Sequence, residues 1–183
     1  MIYLMRHGLD DERYVGGFSD VSLIDEGIEQ VKNNRIKLTS LNIKKIISSD
    51  IKRARETTDI VNEVLGLPIE YDKRFRELDK GLLTGMEVMK AKEEYPEFFD
   101  DVKITDKYPQ GESMIDLYKR VMDIIPYLST LNDTLIVTHR GVINMLYYIL
   151  EEIDLDMNKK RFNVEHASIH ELDLKVKKIR RIY

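Results

Sequence analysis

The sequence predicts an α/β protein: a three-layer sandwich with a mainly parallel sheet, helices on both faces, and an active site at the carboxyl ends of the strands. Three observations carry this expectation. Short apolar runs at 2–5, 43–48 and 134–138 have the length of strands, and the third is rich in β-branched residues. Longer stretches between and after them repeat their apolar residues every three or four positions, which marks one face of a helix. Strands that alternate with helices favour parallel pairing, and in such sheets ligands bind beyond the strand carboxyl ends.

The elements follow in order. Ile-Tyr-Leu-Met at 2–5 reads as a buried strand, and Ile24, Ile28, Val31 and Leu38 place a helix after Asp20. The second strand is 43–48. From Ile51 to Leu65 the apolar or small positions 51, 54, 58, 61 and 65 are spaced 3, 4, 3 and 4, with Ser49 or Asp50 placed to cap the start and Gly66 the end. A short strand at 69–71 comes next. Segment 79–112 lacks periodicity and contains Gly81, Gly85, Pro96, Pro109 and Gly111. It reads as an excursion with a short helix near 86–95, and excursions of this length often cover active sites. Positions 114, 117, 121, 124, 128 and 131 predict a helix that opens on a capping box, Ser113 with Asp116 in place of Glu. Pro126 predicts a kink or an earlier stop there. After the third strand, Val142 to Ile153 reads as a largely buried helix. The tail alternates through Ile169, Leu172 and Leu174, then Val176, Ile179 and Ile182, and residues 177–181 read as a charged edge strand rather than a basic patch.

Composition narrows the function. The 183 residues are 43% hydrophobic and 34% charged, and 29 basic residues oppose 33 acidic ones for a net charge of −4. A disordered chain would be less apolar and less balanced, and the length predicts one domain over 1–183. No general attraction to nucleic acid follows from this charge. The absence of cysteine excludes a disulfide framework, a thiolate nucleophile and cysteine-ligated metal sites, and fits a reducing compartment. The apolar start is too short for a secretory signal, and no apolar run approaches the roughly 20 residues of a membrane span. The expected location is cytoplasmic, with no membrane partner.

The predicted strand ends carry the chemistry. The first strand runs into Arg6-His7-Gly8, the second into Ser48-Ser49-Asp50 with Arg53 in the next helix, and the third into His139-Arg140-Gly141. Any one of these is ordinary, since a lone His-Gly is usually a turn and a lone helical Arg is usually solvated. Two histidines and two arginines at one sheet edge suggest an anion site. Arginine grips phosphate with a planar fork, and a neutral imidazole can attack phosphorus if a positive cradle holds the product. Such a transfer needs a proton for the leaving oxygen, which a nearby carboxylic acid would supply. Glu77, in Arg76-Glu77-Leu78, is one such acid among 33, and periodicity does not select it.

Leu4-Met5-Arg6-His7-Gly8 resembles the signature of the histidine phosphatase superfamily, in its phosphoglycerate-mutase-like branch. Five further stretches resemble that family in the same order. They are Gly17-Phe18-Ser19-Asp20-Val21-Ser22-Leu23, then residues 48–57 around Arg53, then 76–81 around Glu77, then Gly111-Glu112-Ser113, and finally Val137-Thr138-His139-Arg140-Gly141. The resemblance implies that His7 is the nucleophile that becomes phosphorylated. It implies that Arg6, Arg53 and His139 form the phosphate pocket, and that Glu77 is general acid and later base. Gly8, Gly17, Phe18 and Arg140 would complete the phosphate and substrate contacts. No metal and no cofactor are implied. Among the family's small members the motif layout is similar to that of α-ribazole phosphatases.

The chain also departs from the family pattern. Leu9-Asp10-Asp11-Glu12-Arg13 replaces the usual Glu-Thr or Gln-Thr and the following Asn, and brings acid close to the expected phosphate. Arg140 stands where a Gly is more usual, Ser22 replaces a Pro, Leu83 and Thr84 replace an aromatic and a Glu, and His166 falls where an Asn is often seen. The resulting expectation is a phosphomonoesterase acting on a small phosphorylated substrate, as a monomer or homodimer, with the short chain favouring hydrolysis over a mutase. A mutase or sugar-bisphosphate phosphatase, a non-catalytic phosphate-binding module, and a metal site on His7, Asp10 and Asp11 are the competing readings. Specificity is expected in 9–18 and 79–112, the segments with least periodicity.

Overall fold

The computed structural model describes residues 1–158 and 160–183. Six strands form one sheet: β1 (Ile2–Arg6), β2 (Lys45–Ser48), β3 (Ile69–Tyr71), β4 (Thr134–Thr138), β5 (Ile169–Asp173) and β6 (Lys178–Arg181). Their order across the sheet is β3-β2-β4-β1-β5-β6. The first four are parallel, whereas β5 pairs antiparallel with β1 and with β6. The helices are α1 (Asp25–Leu38), α2 (Lys52–Leu65), α3 (Val88–Glu94), α4 (Met114–Leu128) and α5 (Arg140–Leu150).

Both faces of the sheet are covered, and the sequence of the central strands shows why. Every residue of β1 and of β4 is buried, so neither strand needs a polar face. Successive side chains point to opposite sides of a strand. Leu4, Ile47 and Ile136 therefore pack with α4 and α5 residues such as Leu117, Val121, Ile143 and Leu146. Their neighbours Met5, Ile46, Leu135 and Val137 pack on the other side with Val31 and Leu38 of α1 and Ala54 and Val61 of α2. Each fully buried aliphatic side chain contributes about 1.5–3 kcal/mol of transfer free energy.

Register decides what meets at the sheet edge. Arg6 is level with Thr138, and Ser48 with Val137. His7 and His139 thus leave the sheet side by side, tied by His7 N–H donating to the Thr138 carbonyl at 3.0 Å. The two histidine rings lie 5.0 Å apart. Strands predicted from apolar runs are found where expected, with β2 starting at Lys45 instead of residue 43.

Some local expectations are corrected. Neither Ser49 nor Asp50 caps α2; the cap position is Ile51, without a side-chain cap. Both candidate caps are engaged elsewhere, Ser49 Oγ with His139 Nε2 at 2.8 Å and Asp50 with Arg76 at 2.5–2.6 Å. Gly66 ends α2 in the left-handed conformation, φ 61°. Pro126 does not stop α4, which continues to Leu128. The carbonyl that loses its donor belongs to Met122, an exposed residue, so water can satisfy it. α5 begins at Arg140, two residues earlier than its apolar pattern, and ends at Leu150. The Ser113–Asp116 capping box is present in both directions. β6 lies at the sheet edge, alternating exposed and buried residues.

Candidate active site

His7 is 3% exposed at the end of β1. Its Nδ1 lies 2.7 Å from the Gly8 carbonyl. A carbonyl only accepts, so Nδ1 carries the proton and Nε2 keeps its lone pair. Arg53 Nε–H donates to that Nε2 at 3.2 Å, which marks the same atom as the acceptor. Burial, with the nearby cations of Arg53 and Arg6, holds the His7 pKa well below the usual histidine value. The ring is therefore neutral and nucleophilic at Nε2 across the physiological range.

Two arginines and a second histidine surround it. Arg53, 2% exposed in the first turn of α2, donates Nη2–H to the Gly17 carbonyl at 2.8 Å and Nη1–H to Ser19 Oγ at 3.3 Å. Gly17 presents that carbonyl from a left-handed backbone, φ 73°, that favours glycine. Arg6 donates Nη1–H to the Val164 carbonyl at 2.9 Å and Nη2–H to His166 Nε2. Burial, and after it the neighbouring charge of Arg140, lowers the Arg6 pKa to about 10, so it stays charged at neutral pH. His139 is fully buried and held neutral by burial and by Arg53. Arg6 Nε and His139 Nδ1 are buried polar atoms without a partner among the described residues. Such atoms are rare in a folded interior, and here they flank His7, where oxygen atoms of a tetrahedral anion would satisfy them.

Glu77 reaches the same cavity from the loop after β3. Its carboxylate accepts from Leu78 N–H at 2.9 Å and from Gly141 N–H at 3.1 Å, at the N-terminus of α5. Gly141 leaves the carboxylate this position, because a Cβ would sit 2.0 Å from Glu77 Oε1 and displace it. Arg120 of α4 fixes the loop itself. It donates to the carbonyls of Arg74, Arg76 and Glu77 at 2.9–3.0 Å and to both carboxylate oxygens of Glu112 at 2.8–2.9 Å. Glu112 in turn accepts from Asp79 N–H. Five donations by one guanidinium convert an irregular loop into a defined platform.

The remaining sequence candidates are distributed unevenly. Gly8 donates its N–H to Thr57 Oγ1 at 3.1 Å, and Arg140 lines the cavity. Phe18 lies 4.9 Å from the Arg76 guanidinium and is not among the residues lining that cavity. Three residues to which sequence reasoning gave no settled role stand near His7 or His139. Asp10 approaches Arg53 Nε at 3.4 Å, and burial raises its pKa against the pull of Arg53. His166, left open between site and structure by its sequence, lies 5.6 Å ring to ring from His7, and burial and Arg6 hold it neutral, its pKa pushed down to about 3. Ser49 holds His139. None of these has a periodic signal; Asp10 and Ser49 follow strands β1 and β2, and His166 lies in the segment between α5 and β5. His170, by contrast, is buried in β5 between Tyr147 and Ser168 hydroxyls, both at 2.9 Å.

One atom each of His7, Asp10 and His166 falls within a mutual 4.8 Å, a spacing that invites a metal test. The chemistry does not fit. The Nε2 lone pairs of both histidines already accept from guanidinium N–H groups, and a cation there would face Arg6 and Arg53. Asp11, the other acid in the predicted metal trio, is paired with Arg13 at 2.5 Å.

Comparison with known proteins follows from this geometry. Residues 2–181 match the sequence profile described as histidine phosphatase superfamily (branch 1). The mouse 6-phosphofructo-2-kinase/fructose-2,6-bisphosphatase 1 is 33% identical over 158 residues, covering 82% of this chain but only 33% of the mouse protein. This chain thus spans about a third of that relative's length. A probable phosphoglycerate mutase GpmB of Erwinia tasmaniensis is 29% identical over 182 residues, covering 94% and 84% of the two chains. In fold, the chain is similar to a putative alpha-ribazole-5′-P phosphatase structure from Escherichia coli, with a TM-score of 0.82 at 22% identity, over 98% and 93% of the respective chains.

Proposed function

The chain belongs to the histidine phosphatase superfamily, branch 1, and from that premise we propose that it is a phosphomonoesterase working through a phosphohistidine on His7. The observation that carries the reading is the fixed tautomer of His7, which leaves the Nε2 lone pair facing the junction of Arg6, Arg53 and His139. In the first step Nε2 forms a bond to phosphorus as the ester oxygen leaves. Arg6, Arg53 and His139 hold the non-bridging oxygens, and Glu77 gives its proton to the leaving alcohol. In the second step Glu77 takes a proton from water, the new oxygen bonds to phosphorus, the N–P bond breaks and inorganic phosphate departs. No metal is needed, since the guanidiniums carry the compensating charge.

The experiment is a phosphoenzyme trap with a 32P-labelled aryl phosphate, run beside steady-state phosphate release in the presence of a strong chelator. The wild-type protein should incorporate acid-labile label and turn over, and His7→Ala should do neither. Full turnover by His7→Ala would end the phosphohistidine reading. The GpmB-like relative favours a second reading, phosphoryl transfer of the mutase type. Exchange of 2- and 3-phosphoglycerate with negligible hydrolysis would select it.

A further inference from the structure

The cavity that receives the phosphoryl group has a second part that the transfer chemistry does not use. Its volume is about 280 Å³. Besides the strand-end residues, its wall contains Val88 and Phe99 of the excursion, Val102, Met114 at the start of α4, Met145 of α5, and Met157. Val88, Phe99 and Met114 are partly buried and pack on the same core as α4 and α5. The apolar interior on that side of the sheet thus continues into the cavity as half-exposed wall.

Two of the acids along this wall are engaged. Asp106 accepts from Lys103 N–H at 2.9 Å, and Asp156 accepts from the Tyr148 hydroxyl at 2.5 Å and from Arg161. Arg140 belongs to the phosphoryl end, beside Arg6. Lys80, Lys103, Asn144 and Asn158 also line the cavity, and the apolar stretch of its wall offers the leaving alcohol a surface whose covering is favourable by about 25 cal/mol per Å². A cavity of about 280 Å³ has room for a phosphoryl group and a short alkyl chain.

Resting on the phosphomonoesterase reading, we propose that the substrates are phosphomonoesters of alcohols with a compact apolar body that covers this stretch of wall. The test uses ethyl, butyl and hexyl phosphate, whose alcohols leave with nearly equal ease, together with glycerol 3-phosphate and 3-phosphoglycerate. Calorimetry with ethyl-, butyl- and hexylphosphonate, which are not hydrolysed, measures binding separately. The expected result is a rise of about two- to fourfold per methylene in kcat/KM and in phosphonate affinity. Val102→Asp, at a half-buried loop position, should flatten both series. Equal values from ethyl to hexyl in both series, or a preference for 3-phosphoglycerate over hexyl phosphate, would overturn the inference. Chain-length-dependent phosphonate binding without turnover of any ester would uphold the apolar subsite and overturn the hydrolase reading instead.

Discussion

At the scale of single residues the site is a matter of where protons sit. The Gly8 carbonyl forces the His7 proton onto Nδ1, and Arg53 addresses the opposite nitrogen. His7, Arg6, Arg53 and His139 could be read from their places at strand ends. Glu77 is named only through the family resemblance, because its position is fixed by two backbone N–H donors that no composition reveals. That dependence gives a prediction. Gly141→Ala would place a Cβ 2.0 Å from Glu77 Oε1 and 3.0 Å from Leu117 Cδ2, displacing the carboxylate. Alanine is a better helix former than glycine by up to about 1 kcal/mol. The variant should therefore keep or raise its Tm while kcat for a poor leaving group falls about ten- to a hundredfold, part of what a general acid supplies. Melting curves and kcat measured on the same preparation check this, and an unchanged kcat would remove Glu77 from the proton path.

At the scale of elements, apolar periodicity located strands and helices well, and local polar chemistry decided their ends. Ser113 shows both sides of this. Its hydroxyl accepts from Asp116 N–H at 3.2 Å, and the Asp116 carboxylate accepts from Ser113 N–H at 3.0 Å. This local motif was legible because both partners are three residues apart. Ser113→Ala should cost about 1 kcal/mol and lower Tm by roughly 2–4 °C; thermal unfolding monitored by circular dichroism measures it, and an unaltered Tm would mean the cap contributes nothing. The start of α2 was misread for the opposite reason. Ser49 and Asp50 are good caps by sequence, but their best partners, His139 and Arg76, are 90 and 26 residues away.

At the scale of the whole molecule, burial of all four histidines as neutral rings links folding to pH. Burial is the leading cause for each: His7 and His139 are held well below the ordinary value, His166 at about 3 and His170 at about 4. In the unfolded chain they titrate near 6.5. As pH falls below 6.5 the unfolded state binds protons that the folded state refuses, so stability declines toward pH 4. Urea melts between pH 7 and pH 5 should show a falling free energy of unfolding, by at most about 1.4 kcal/mol per pH unit for each histidine. A flat profile over that interval would contradict the buried neutral rings. The same whole-molecule view explains the excursion. Phe98 stacks on Tyr108 at 4.7 Å, and Glu112 joins Arg120 to the Glu77 loop, so a segment without periodicity is still fixed against the site.

The sequence by itself determined the layer architecture, because apolar runs and period-3.6 burial patterns are local and each buried strand declares itself within a few residues. It also placed His7, Arg6, Arg53 and His139 together, since parallel strands bring their carboxyl ends to one edge whatever the connections. Only the tertiary structure decided which acid reaches that edge, that Asp10 and His166 stand beside His7, that Phe18 packs on Arg76, and that an apolar wall adjoins the phosphoryl site. Those outcomes depend on contacts across 26 to 160 residues of chain, and their partners are chosen by register and packing, which no local pattern encodes.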